Sequence, residues 1–287
     1  MGQGREWLRK HWIAVVGVLV VVYLLVPIAV ILLFSFNDPS GRYNFSWSGF
    51  TLSHWSNAFG IEDLTEALLT SIKLALLATL ISTVVGTMMA LALVRHKFFG
   101  RRLSNFLIVI PMATPEVVIG AALLSFFLLL GTFSLGFETL LIAHVMFCIS
   151  FVVIVVRSRL IGFDRRLEEA ARDLGAGPFT TFRLVTFPLI LPGVFGGAML
   201  AFALSIDDFV ISNFNSGTTV TFPLYIFGAS RHGIPVEVYC IAMILFGVTV
   251  AAMGFVTWQQ QRAEKLAQIR PDQEGASAPN VPAGAAA

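Results

Sequence analysis

Between residues 12 and 258 the chain returns repeatedly to apolar stretches long enough to cross a bilayer, and this restricts its fold more than any motif. A helical span needs roughly 20 apolar residues, with its backbone polar groups satisfied inside the segment. Six stretches meet that description, at about 12–34, 66–94, 103–130, 136–156, 187–214 and 236–258. The chain is 56% hydrophobic and only 13% charged, with a mean hydropathy of +0.82. A soluble domain is about a quarter charged, so composition agrees with the membrane class. The sequence therefore predicts an all-α membrane protein with six transmembrane helices.

The first stretch follows the basic start MGQGREWLRKHW, and at 23 residues it exceeds the roughly 7–15 of a signal-peptide core. It reads as an uncleaved span in which Pro27 is tolerated. The aromatic segment from Ser35 to Thr65, with Trp47 and Trp55, reads as an aqueous loop along the membrane surface. Residues 1–11 form an N-terminal segment, 12–262 the membrane domain, and 263–287 a tail whose Ala, Pro, Gly and Gln content predicts disorder.

Charge sets the orientation. Sixteen of the 19 Lys and Arg fall on the termini, the 95–102 hinge and the 157–185 insert. Only Arg42 and Arg231 fall on the opposite side, and Lys73 lies within a span. Positive residues concentrate on the cytoplasmic side, which places both termini and the 157–185 insert there.

Acidic residues within spans cost about 2.5–3.5 kcal/mol each on insertion scales, so each one marks a candidate site. Asp207 and Asp208 fall in LSIDDFVISNF, within the fifth predicted span. Adjacent positions on a continuous helix diverge by about 100°, so one acid would face a polar path and the other a packing partner, or else both are packing or interfacial polar residues. Glu116 follows Pro111 and Pro115, a pattern that breaks a helix and lines a cavity, or else places a kink near the membrane surface. His144 on an apolar helix reads as one buried hydrogen bond between helices. Trp47 and Trp55 are candidates for stacking on a ligand's cationic groups, or are interfacial anchors. Cys148 and Cys240 sit in apolar runs without metal-ligand spacing.

The polar insert between the fourth and fifth stretches reads LEEAARDLGAGPFTTFRLVTFPLILPG over Leu167–Gly193. Asp164 suits a helix cap, Glu168 and Glu169 suit the positive end, and Gly175 with Gly177-Pro178 ends the helix. Small Ala170 and Ala171 admit a close protein surface, although an amphipathic helix lying on lipid headgroups has the same pattern. No G-x-x-x-x-G-K-[ST] phosphate loop occurs, so the chain is not expected to bind ATP. Neither H-E-x-x-H nor G-x-S-x-G occurs, and the basic residues form no nucleic-acid stripe.

Glu169-Ala170-Ala171, Gly175 four residues beyond, and Pro188 thirteen residues after that glycine resemble the EAA loop of ATP-driven importer permeases, here spanning about 164–193. The core from Trp12 to Trp258 resembles the second membrane subunit of the spermidine/putrescine importer permeases. The segments SFND, NFSWSGFTLSHW, TPEVVIGAALL, FCISFVVIVVRSRLIGFDRRLEEAARDLGA and LSIDDFVISNFNSG carry that likeness. Glu116 stands where that family is expected to have Asp, and Ile206 where it often has Met.

The resemblance implies a six-helix permease of the type shared by methionine and maltose importers, with a cytoplasmic coupling helix and an inner-membrane location in a bacterium. It implies a second permease subunit, an ABC ATPase dimer that carries the ATP and Mg, and an external substrate-binding protein. This chain would hold no cofactor and perform no catalysis. Glu169 would pair with a basic group of the ATPase, Leu174 would pack into its cleft, and Gly175 would allow the turn. Glu116, Asp207 and Asp208 would suit a cationic polyamine. The alternatives are a permease of the same type for iron, thiamine or an organophosphate, and an ATPase-independent carrier or channel using Asp207 and Asp208.

Overall fold

A computed structural model describes residues 3–41, 43–132, 134–162 and 164–276. Arg42 and residues 277–287 of the expected tail lie outside the described residues. In chain order the elements are α1 (Gln3–Phe34), α2 (Ser53–Ser56), α3 (Glu62–Arg95), α4 (Arg101–Ala113), α5 (Glu116–Leu130) and α6 (Phe137–Ile161). There follow α7 (Arg166–Asp173), α8 (Pro178–Thr181), a π-helical turn (Phe182–Thr186) and α9 (Phe187–Ile206). The last are α10 (Val210–Asn215), α11 (Phe222–Ser230) and α12 (Val236–Ala276). Thus α12 continues past residue 262, where the tail was expected to begin.

Among the described residues, four helical stretches are long and apolar enough to cross a membrane: Trp12–Phe34, Glu62–Arg95, Phe137–Ile161 and Pro178–Ile206. Helices α4 and α5 make a fifth if their bent pair is one span. The sixth expected stretch falls in α12, whose apolar part, Val236–Ala251, is shorter.

Two of the predicted spans are interrupted, for different reasons. Between α4 and α5 the chain bends by 114°. Pro115 forces the residue before it out of the helical region, and Thr114 accordingly sits at φ −91°, ψ 135°. The fifth span stops at Ile206 rather than continuing to Phe214, and Asp207 sits at the C-terminal cap. The expectation that Asp207 and Asp208 lie on one continuous helix is corrected accordingly. The carboxylate of Asp208 accepts hydrogen bonds from the backbone N–H of Ile211 (3.2 Å) and Ser212 (2.8 Å), which starts α10. A side chain that competes for backbone donors favours the end of one helix and the start of another.

The chain divides into two compact units, one holding the residues up to Gly60 and from Ile234 onward, the other Ile61–Gly233. In the first, α1 and α12 pack together and the loop after α1 is shaped by Asn37. Its side-chain amide donates to Asn44 Oδ1 (2.6 Å) and the Ser46 carbonyl (2.7 Å), while its Oδ1 accepts from the Ser48 N–H (2.8 Å). Asn44 in turn donates to the Phe34 carbonyl (2.8 Å). Both amides are buried, so each must be satisfied this way.

In the second unit α3, α6 and α9 pack against one another, with α6 the most enclosed. Small residues let them approach closely, as expected where lipid supplies no hydrophobic force between helices. A methyl group on Gly86 of α3 would stand 2.8 Å from Val152 of α6, and one on Gly197 of α9 would stand 3.4 Å from the same side chain. Val152, Val153, Val156, Cys148 and Ala201 fill the space between.

Gly217 combines a left-handed backbone, φ +57°, with a carbonyl oxygen of Leu135 only 2.2 Å from where a Cβ would stand. Gly217→Ala is therefore expected to destabilise the protein by about 3 kcal/mol, from backbone strain and overpacking together. Thermal unfolding in detergent checks this, and a midpoint equal to wild type would contradict it.

Candidate functional site: a coupling surface and an acidic helix break

The polar insert forms the helix its residues predict. Asp164 Oδ1 accepts the Arg166 N–H at 3.0 Å, and Glu168 and Glu169 occupy the first turn of α7. At the other end Ala176 N–H bonds to the Ala171 carbonyl (3.0 Å) and Gly175 N–H to that of Arg172 (2.8 Å). This closing pattern needs a left-handed residue at Gly175, whose φ is 87°.

Helix α7 is charged on its surface, yet exposed apolar side chains stand on it and just beyond it. Leu174 is 90% exposed, and Phe179 and Leu184 nearby are 74% and 68% exposed. Glu169 and Ala170 are also exposed, while Ala171 is half-buried. The Glu169 carboxylate makes no ion pair or hydrogen bond among the described residues. Glu168 is held inside the chain instead. Arg95 clamps it with two bonds, Nη1 to Oε2 at 2.5 Å and Nη2 to Oε1 at 2.6 Å, and the Thr186 hydroxyl donates to Oε1. Pro188 has no N–H to offer the carbonyl four residues back, and the turn ahead of it is π-helical.

The acids form a second cluster around the break between α9 and α10. Asp208 is 7% exposed and faces inward, whereas Asp207 is exposed. Beside the Asp208 carboxylate lies His144 of α6, with Nε2 3.5 Å from Oδ2. His144 also hydrogen-bonds Ser205 Oγ through Nδ1 (2.8 Å) and Ser212 Oγ through Nε2 (3.1 Å). The histidine expected to make one interhelical bond thus ties α6 to both α9 and α10. Its connection to Asp208 was not legible in the sequence, since 64 positions separate them.

Glu116 begins α5 and is exposed, within electrostatic range of Asp208 and Asp207. Helices α5 and α10 pack together, with Asn215 Nδ2 donating to the Gly120 carbonyl at 3.3 Å. The three acids therefore gather at two helix interruptions. Trp47 and Trp55 belong to the other unit. Trp55 stacks on Phe36 with centroids 5.3 Å apart, and Trp47 meets Phe34 edge-on at 6.4 Å. Trp47 is 45% exposed while Trp55 packs against Ala58, Val236 and Cys240.

The second unit thus pairs a charged helix flanked by exposed apolar side chains with three acids at two helix interruptions, one buried and two exposed. Residues 82–265 match the family described as binding-protein-dependent transport system inner membrane component. The chain belongs to this family. The permease is 39% identical over 230 residues to the spermidine/putrescine transport system permease protein PotC of Haemophilus influenzae, covering 80% of this chain and 88% of that one. It is 34% identical to the putrescine transport system permease protein PotI of Escherichia coli K12, covering 90% and 93%. Among solved structures, a bacterial ABC transporter that imports alginate matches with TM-score 0.64 at 17% identity, over 91% of this chain and 98% of that one. The MetNI methionine transporter matches with TM-score 0.53 at 18% identity, over 71% and 98%. At such identities the structures establish the fold alone. The permease is thus an inner-membrane transport subunit with the fold of ABC importer permeases, and not an enzyme.

Proposed function

We propose that the permease forms half of the translocation pathway of an ATP-driven importer of polyamines such as spermidine and putrescine. The observation that carries this reading is the gathering of Glu116, Asp207 and Asp208 at two helix breaks, in a permease whose relatives are named for those cargoes. Carboxylates in a low-dielectric path attract ammonium groups strongly, and interrupted helices line such paths rather than face lipid. Exposed Asp207 and Glu116 offer the carboxylates, with Asp208 behind them as the cap of α10.

In this reading the chain crosses the membrane six times with both termini in the cytoplasm, α12 providing the last crossing. A second, different permease subunit completes the pathway. An ABC ATPase dimer, which carries ATP and Mg, docks on α7, where Leu174 enters its cleft and Glu169 meets a basic group. An extracytoplasmic binding protein delivers cargo to the outer face, where Trp47 is available for stacking on a cation. ATP-driven closure of the ATPases moves α7, and the bundle alternates between inward and outward access.

The test is uptake of labelled putrescine by cells without other polyamine import, expressing the permease with its partners. Uptake should require every partner and be displaced by excess spermidine but not by thiamine or ferric iron. Displacement by one of those solutes instead would reassign the cargo.

A further inference from the structure

The coupling helix is tied to the membrane bundle by more than its own chain. The Arg95–Glu168 pair is a two-bond fork, with side chains only 16% and 12% exposed. Arg95 is the last residue of α3, and Thr186, which shares the Glu168 carboxylate, ends the π-helical turn that opens into α9. A second tie runs the other way: Arg165, just before α7, donates from Nη2 to the Val94 carbonyl of α3 at 3.2 Å. Cations favour the negative end of a helix, which is where Arg165 reaches α3. These groups line a cleft of about 440 Å³ between the end of α3 and α7. The N-terminal end of α7 is thus bonded to two spans, while Leu174 at its other end is 90% exposed.

We infer that Arg95, Glu168 and Thr186 form a strut that transmits displacement of α7 to α3 and α9 together. This rests on the proposed coupling role of α7. A short helix held only by flexible connections would be displaced without moving the spans, since a turn containing Gly175 and Gly177 absorbs motion. A planar guanidinium fork resists both sliding and rotation, which a single Lys–carboxylate contact does not. Glu168 and Arg95 are positioning residues that need not touch the ATPase or the cargo. The role differs from that of Glu169, whose side chain is exposed. The π-helical turn, a feature frequent at functional sites, adds a point where α9 can change register as the strut pulls.

The test uses the complete complex in proteoliposomes, comparing wild type with Arg95→Ala, Arg95→Lys, Glu168→Gln and the exchange Arg95→Glu with Glu168→Arg. Two ratios are read: putrescine taken up per ATP hydrolysed, and ATP hydrolysis with the cognate binding protein over hydrolysis without it. The single variants should lower both ratios about tenfold, within the range usual for coupling between sites. Arg95→Lys should fall between Arg95→Ala and wild type, and the exchange should recover at least half of the loss. Ratios within twofold of wild type in Arg95→Ala and Glu168→Gln would overturn the strut. So would loss of the assembled complex in every variant, the lysine replacement included, because the pair would then serve folding. A wild-type complex that responds to binding protein but takes up no putrescine defeats the cargo reading, and the second ratio then judges the strut.

Discussion

Glu169→Lys is expected to abolish uptake, by about 100-fold or more, while the permease still reaches the membrane in normal amount. Glu169 is exposed on the first turn of α7 and has no ion pair or hydrogen bond among the described residues, so reversing its charge breaks no contact seen in the fold. The cost falls on the proposed contact with a basic group of the ATPase. Like charges brought together at an interface cost several kcal/mol, and about 2.7 kcal/mol already corresponds to 100-fold. Glu169→Gln removes the attraction without adding repulsion and should lose closer to tenfold. Leu174→Asp should join Glu169→Lys, since Leu174 is 90% exposed and is the side chain proposed to enter the cleft of the ATPase, where a carboxylate would be buried without a partner. Co-purification of the ATPase with each variant, measured against permease content of the membrane, checks all three. Unchanged co-purification with normal uptake would remove α7 from the coupling surface.

The second large effect concerns Asp208. Asp208→Ala is expected to lower stability by about 3 kcal/mol, through the loss of two backbone hydrogen bonds at the start of α10 and of the group facing His144. The reason is burial: Asp208 is 7% exposed and His144 is 2% exposed, so water replaces neither. Asp208→Asn keeps an oxygen for one of the N–H groups and should cost about half as much. Asp207→Ala, one residue away, should leave the unfolding midpoint near wild type and lower uptake instead, because Asp207 is exposed and caps nothing with its side chain. Thermal unfolding and uptake of the two alanine variants separate these roles. Equal destabilisation by both would contradict the assignment.

The first, second and fourth spans, the broken third stretch and the capped, glycine-terminated α7 were legible because each depends on local chemistry. Apolar length, Pro115 and Gly175 act on their own neighbours. The end of the fifth span at Ile206 was not legible, because the 187–214 stretch is apolar on both sides of the acids and propensity alone carries a helix through it. The break depends on Asp208 taking the N–H groups of Ile211 and Ser212, and on His144 arriving from another helix. The same limit applies to Glu168. In sequence it is one of two acids in a helix's first turn, and only the fold brings Arg95 to it, 73 residues away. Motif spacing singled out Glu169, and the structure separates the two by giving one an internal partner and leaving the other exposed.

The most direct measurement of the central claim is labelled putrescine uptake into proteoliposomes containing the permease, its companion permease, the ATPase and the binding protein. ATP on the cytoplasmic face should drive accumulation, and non-hydrolysable nucleotide or omission of the permease should abolish it. Accumulation that proceeds without ATP, or by the permease alone down a proton gradient, would contradict the account.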